Sequence, residues 1–276
     1  MHHRPRTGFL PMKGGWLALP VLAMLGGAWA FSGEVFTGSP TDLAIAAALV
    51  VGGWQPLWQI LTQTDWATPL KRWRNWEAAE PLPGWPYLQA GTPGAALHQR
   101  LAQAKSWWNA VGRVPLVRPL RRSFVAVMVS VLLGSALGRD GLLLTLLFVT
   151  CVELATLWHE GVGEVGSLWC GIGLAGLPWL LGASLGDGWS GQATLSSLVL
   201  ALVVGLYAHH SWWAILGPTI GALFLIGYGY TMAAGWLLLL ALPGMLVLSH
   251  KPSLYGYRRA IGPWVLGMIM LMAWVL

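Results

Sequence analysis

Apolar stretches long enough to cross a bilayer follow one another along most of this chain. They fall at residues 13–32, 41–62, 122–138, 141–158, 166–185, 193–211, 213–231, 232–249 and 262–276. A hydrocarbon core of roughly 30 Å is crossed by about 20 apolar residues in a helix. In lipid, only a helix or a closed barrel satisfies every backbone polar group. The pattern predicts an all-α integral membrane protein, a single transmembrane domain over 1–276, with about nine transmembrane helices. Composition agrees: 56% of the residues are hydrophobic and 9% are charged, against about 25% charged in a soluble domain. A soluble globular enzyme, a disordered chain and a secreted disulfide scaffold are thereby excluded. Pro20, Pro178 and Pro243 inside these stretches predict kinked helices in a bundle.

Charge predicts the orientation. Basic residues gather at Arg4, Arg6 and Lys13, then between Lys71 and Arg122, then at Lys251, Arg258 and Arg259. With nine spans and a cytoplasmic N-terminus all three groups fall on one side, and Arg139 alone lies opposite, as the positive-inside rule expects. The formal net charge of +6 then belongs to a face that meets anionic lipid headgroups. No Lys/Arg stripe interleaved with aromatics defines a nucleic-acid groove. The first stretch is long enough to span and carries no cleavage signal, which predicts residence in a bacterial inner membrane.

Residues 63–121 form the one long polar stretch, punctuated by Pro69, Pro81, Pro83, Pro86, Pro93, Pro115 and Pro119. The positive-inside arrangement makes it a cytoplasmic loop. Within it, residues 95–111 predict an amphipathic helix, with Leu97, Leu101, Ala104 and Trp108 at helical spacing and Arg100 and Lys105 elsewhere on the wheel. Such a helix suits the membrane interface. A lid over a lipid-side cavity and a docking surface for a partner are the alternatives.

Several segments resemble the UbiA superfamily of intramembrane prenyltransferases, and within it chlorophyll and bacteriochlorophyll synthases. KGGWLALPVLAMLGGAWAFSG, from Lys13, is similar to the family's opening helix, and LAIAAALVVGGWQPLWQILTQ, from Leu43, to the helix leading into its first catalytic loop. Pro81-Leu82-Pro83-Gly84 resembles the Pro-rich turn beyond that loop, and GLPWLLGA from Gly176 resembles the fifth span. Tyr207-Ala208-His209 falls where the second catalytic loop begins, and PWVLGMIMLMAWV from Pro263 is similar to the last helix. The resemblance implies a UbiA-like bundle with a cytoplasmic N-terminus.

It also implies what a working member needs: Mg²⁺ and a prenyl diphosphate, held by two Asp-rich motifs, the first N-x-x-x-D-x-x-x-D. Mg²⁺ wants hard oxygen ligands, chiefly carboxylates and phosphates, and it neutralises the leaving diphosphate. At the matching spacing this chain has Gln55, Gln59 and Gln63; a register three residues on gives Trp58, Thr62 and Trp66. Neutral amides hydrogen-bond but bring no negative charge. The second motif is replaced by His209-His210-Ser211-Trp212-Trp213, and no acidic residue follows Asp187. With neither metal motif present, no catalytic residue and no metal site is expected.

Three histidines remain as candidate pigment ligands: His209, His210 and His159. Neutral imidazole is a good axial ligand for a macrocycle metal, and Trp212 and Trp213 beside the pair would line a flat ring. Interfacial histidines in an aromatic belt are the plainer reading of the pair, as an interfacial turn is of His159 with Glu160 and Glu164. Glu153, well inside a predicted span, is expected to hydrogen-bond another helix. Gly134/Gly138, Gly182/Gly186 and Gly217/Gly221, each four apart, permit close helix approach within the chain or against a neighbour.

The expectation is a non-catalytic relative of chlorophyll synthase, an accessory subunit of a bacterial photosynthetic reaction-centre or light-harvesting complex. Its partners would be other membrane subunits of that complex and lipids, with no nucleic acid. No cofactor is required; bacteriochlorophyll, a quinone or a lipid would fill the old substrate cavity. Two rivals stand beside it: an active prenyl or phytyl transferase with atypical motifs, and a stand-alone pigment- or quinone-binding protein.

Overall fold

The computed structural model describes residues 15–32, 39–64, 66–74, 76–77, 92–158, 165–186, 189–209, 212–250 and 254–276. Among them there is helix and no strand. Contacts divide the chain into two compact units, one of residues 1–63 with 125–276, the other of 64–124.

The larger unit begins with α1 (Gly15–Ser32), α2 (Pro40–Ala48) and α3 (Gln55–Gln63). Ser39 starts α2, its hydroxyl accepting the Thr41 amide at 3.2 Å with Pro40 at the head of the helix, an N-cap pairing that satisfies an otherwise orphaned donor. The later part of α6 (Arg113–Ala136) follows, then α7 (Gly138–Trp158), α8 (Val165–Gly171) and α9 (Leu177–Ser184). The unit ends with α10 (Gly191–Tyr207), α11 (Leu216–Gly227), α12 (Thr231–Ser249) and α13 (Leu254–Val275). Ser190 caps α10 by accepting the Ala193 amide at 3.0 Å. α6 turns into α7 through Gly138 at φ +84°, a conformation glycine adopts without the penalty of a Cβ.

Three wider π-helical segments interrupt the α-helices, at Leu49–Trp54, Trp108–Gly112 and Ile172–Gly176. Each stands two or three residues before a proline: Pro56, Pro115 and Pro178. A proline ring clashes with the carbonyl four residues earlier and cannot donate to it. Here those carbonyls, of Gly52, Val111 and Leu174, lie inside the wider turns, which let the helix run on past the ring. Pro20 and Pro243 lie within ordinary α-helix.

Residue contacts fix the relative directions in this unit. A methyl added at Gly182 would run into the main chain of Met24 and Ala28, one at Gly27 into that of Trp179 and Ala183, and Gly186 faces Phe31. α1 and α9 therefore run parallel, backbone against backbone, as small residues allow. Trp16 meets Arg258 and Gly262, and Gly26 meets Ala273, so α13 is parallel to α1 as well. Gly171 approaches Ala201 and Gly205, while Gly176 approaches Ser197, so α10 is antiparallel to α8. Gly217 and Gly221 pack on Val203 of α10, and Gly134 on Thr145 of α7. The three glycine pairs are thus used within the chain, with Gly138 serving the turn instead.

Aromatic rings fill the core: Trp54, Trp58, Trp179, Tyr207, Tyr257 and Phe148 are all fully buried. The outer faces are apolar. α12 exposes Met232, Trp236, Leu239, Leu242 and Leu246; α6 exposes Phe124, Met128 and Leu132; α13 exposes Met270 and Trp274. Water-facing monomers seldom show such stripes. Three helical stretches, Pro40–Thr62, Gly166–Ser184 and Thr231–Ser249, are long and apolar enough to cross a membrane; Trp16–Ser32, Gly191–Tyr207 and Trp213–Gly227 are shorter apolar helices.

The smaller unit contains α4 (Ala67–Arg74), α5 (Pro93–Trp107), the second π segment and the first turns of α6. Thr92 caps α5 by accepting the Ala95 amide at 3.2 Å, so the helix starts two residues before the predicted 95. Trp107 fastens it: its indole donates to the Pro69 carbonyl at 3.2 Å and its ring meets Trp73 edge-on at 5.5 Å. The Gln103 amide donates to the Trp76 carbonyl, and the Trp76 indole to Ser106 at 2.9 Å. Leu97 and Leu101 remain 54% and 43% exposed, with Arg100 and Lys105 exposed on either side of them.

Candidate functional site

Gln55, Gln59 and Gln63, the neutral amides at four-residue spacing, lie on α3. Gln55 is buried, and its amide nitrogen donates to the Leu17 carbonyl of α1 at 2.6 Å. It is a cross-helix tie, one residue after the π segment ends. Gln59, one turn on, is half-buried, and the Gln63 side chain lies outside the described residues. The shifted register offers no better ligands: Trp58 is buried against Gly173, and the Thr62 hydroxyl donates back to the Trp58 carbonyl at 2.6 Å. Removing the tie alone, as in Gln55→Leu, is expected to cost about 1 kcal/mol. A denaturant titration of the detergent-solubilised protein reads that cost.

The Tyr207-Ala208-His209 stretch sits at the end of α10. His209 is half-buried there, its backbone amide donating to the Leu206 carbonyl at 3.0 Å. His210 and His159 lie outside the described residues, as does Glu160. The turn carrying His209 is held by two side chains from the start of α13. The Tyr257 hydroxyl donates to the Tyr207 carbonyl at 2.8 Å, and Arg258 Nε donates to the Ala208 carbonyl at 3.3 Å. Both carbonyls belong to the last turn of a helix, where acceptors lack intrahelical donors and where a cation opposes the negative end of the helix dipole. The Trp16 indole in turn donates to the Arg258 carbonyl at 2.8 Å, and the Tyr207 hydroxyl to the Ala241 carbonyl of α12 at 3.0 Å.

One polar layer results, in which α1, α10, α12 and α13 meet around the His209 turn; Gln55 ties α3 to α1 separately, at the Leu17 carbonyl. Arg258 is 5% exposed, so this member of the basic cluster faces protein, and Arg259 alone of the described pair is exposed. The signal for this was present in the sequence: Tyr257, Ile261, Val265, Met268 and Met272 continue the helical period of the last apolar stretch backwards past its assigned start at 262. The layer is chemically rich in neutral donors and carries one guanidinium. Among the described residues, no three His, Cys, Asp or Glu side chains are grouped so as to hold a metal ion.

Glu153 corrects an expectation. It lies exposed on α7, on the stripe of Leu143, Leu146, Leu147, Thr150 and Leu154, rather than hydrogen-bonded to another helix of the chain. The inward side of α7 is taken by Leu144, Thr145, Phe148, Val152 and Ala155, all buried, which turns position 153 outward by helical geometry.

No protein-family model, no curated protein and no solved structure matches the chain.

Proposed function

We propose that this chain is a non-catalytic relative of the (bacterio)chlorophyll synthases. It would sit in a bacterial inner membrane through nine spans, with the N-terminus cytoplasmic, as an accessory subunit of a photosynthetic complex. The observation that carries the reading is Gln55. At the position where the resemblance expects a metal-binding motif, a neutral amide is folded into the core and donates to a backbone carbonyl. A side chain used in this way supports helix packing, not diphosphate chemistry. The alternating directions of the helices and their apolar outer faces support a multi-span arrangement. The photosynthetic setting rests on the resemblance to chlorophyll synthases. In this reading His209, His210 and His159 are pigment-facing histidines, and a bacteriochlorophyll, a quinone or a lipid occupies the old substrate cavity.

Purification from native membranes in mild detergent tests the proposal. The expected product is coloured, with reaction-centre or light-harvesting polypeptides in fixed proportion. A colourless, solitary polypeptide overturns it, and so does Mg²⁺-dependent transfer from a prenyl diphosphate by the purified chain.

A further inference from the structure

We propose that two copies of this chain bind each other head to tail in the membrane, through the outward face of α7 on one copy and the outward face of α13 on the next. Glu153 would pair with Arg259 at the centre of that contact. The inference rests on the bilayer reading of the chain and is independent of the photosynthetic one.

Among the described residues of the larger unit, Asp42 and Asp140 lie in the first turns of α2 and α7. Glu153 is the one carboxylate placed deeper in a helix, and it faces outward. On that face its neighbours are leucines: Leu146 and Leu147 are 50% and 45% exposed and Leu154 is 42% exposed. A carboxylate among lipid-facing leucines is expensive and is expected to meet a cation or a donor.

Arg259 has the complementary chemistry at the complementary place. It is exposed on α13, on the same side of that helix as Pro263, Met270 and Trp274. Glu153 lies five residues before the end of α7 at Trp158, and Arg259 lies five residues after the start of α13 at Leu254. At 1.5 Å per residue each is about 7–8 Å from its helix end.

Those two ends are on the same side of the bundle. Six residues separate Trp158 from Val165, a reach of at most about 25 Å, short of a hydrocarbon core of roughly 30 Å. The end of α7 and the start of α8 therefore share a side. The α8–α9 segment runs parallel to α1, and α1 parallel to α13. Two copies inserted in the same orientation thus present Glu153 and Arg259 at one depth, on helices of opposite direction. An antiparallel α7–α13 contact in that register sets Thr150 beside Pro263 and Leu143 beside Met270, all four exposed. Because each copy offers both faces, the contact is heterologous, and it builds a ring or a row.

The test uses the full chain in lipid vesicles, labelled with donor and acceptor dyes on separate copies, with association read by energy transfer as the protein is diluted in lipid. Glu153→Arg alone and Arg259→Glu alone are each expected to weaken association about tenfold or more, since each sets like charges face to face. Glu153→Arg combined with Arg259→Glu restores it, which also shows that the exposed substitutions leave the fold intact. A wild-type chain that stays monomeric at every density overturns the proposal. So do single reversals that leave association unchanged, and a double reversal that fails to restore it.

Discussion

Substituting leucine for Gly182 is expected to eliminate folded protein, with the chain lost from the monodisperse peak in detergent chromatography. The reason lies in how α1 and α9 cross. Gly182 lies against the main chain of Met24 and Ala28, and Gly27 against that of Trp179 and Ala183. Even a methyl at either position meets backbone, which cannot rotate out of the way as a side-chain tip can. Overpacking a core ordinarily costs about 1–3 kcal/mol and at times more. Two helices that must separate along their whole contact belong to the costly end, so any surviving protein should melt lower by about 10 °C. Gly27→Leu should behave alike. Gly235→Ala supplies the contrast: a Cβ there meets nothing within 4 Å, and the alanine should be neutral or slightly stabilising in mid-helix.

Trp54 and Trp179 provide the second large effect. Both are fully buried, and replacing either with alanine should cost about 3–5 kcal/mol. Their phenylalanine variants should then separate. Trp54 lies flat on Phe148, with ring centroids 4.6 Å apart and planes 6° from parallel, and its indole N–H has no acceptor. Trp54→Phe keeps a stacked ring and removes a donor that is already unsatisfied. Trp179 donates to Ser196 Oγ at 3.1 Å, so Trp179→Phe loses the smaller ring's volume and a bond besides. The difference should be about 1 kcal/mol, the net worth of one buried hydrogen bond. Parallel thermal melts of the two phenylalanine variants measure it; equal midpoints would count against the assigned bond.

The helices were legible in the sequence because lipid-scale apolar runs leave the backbone little choice. Their starts at 41, 95 and 193 fell one or two residues late, because the capping Ser39, Thr92 and Ser190 stand before the apolar pattern begins. Charge misled at other ends. Residues 122 and 262 mark where apolar character begins, yet α6 starts at Arg113 and α13 at Leu254. Arginine is a good helix former, and a helix does not stop where the hydrocarbon does. The candidate site was legible as a list of residues and not as an arrangement. Position along α3 says that Gln55, Gln59 and Gln63 share a face; it does not say that the first of them reaches back to Leu17. Arg258 and Arg259 are neighbours of identical chemistry, and only the packing of α13 on α1 and α10 sends one inward and the other out.

The bond from Trp16 to the Arg258 carbonyl joins residues 242 apart in the chain. At about 5–20 residues per second, a ribosome takes on the order of tens of seconds to travel between them. Throughout that interval α1 has been inserted, while the helix that closes one of its flanks has yet to emerge. Its tryptophan is then open to whatever lipid or protein is nearby, although α9 arrives earlier to fill the groove at Gly27. Assembly of this bundle is therefore a race between a late-arriving helix and wrong neighbours, and an insertase or chaperone that shields α1 until Arg258 has been made would raise the yield without touching the finished fold.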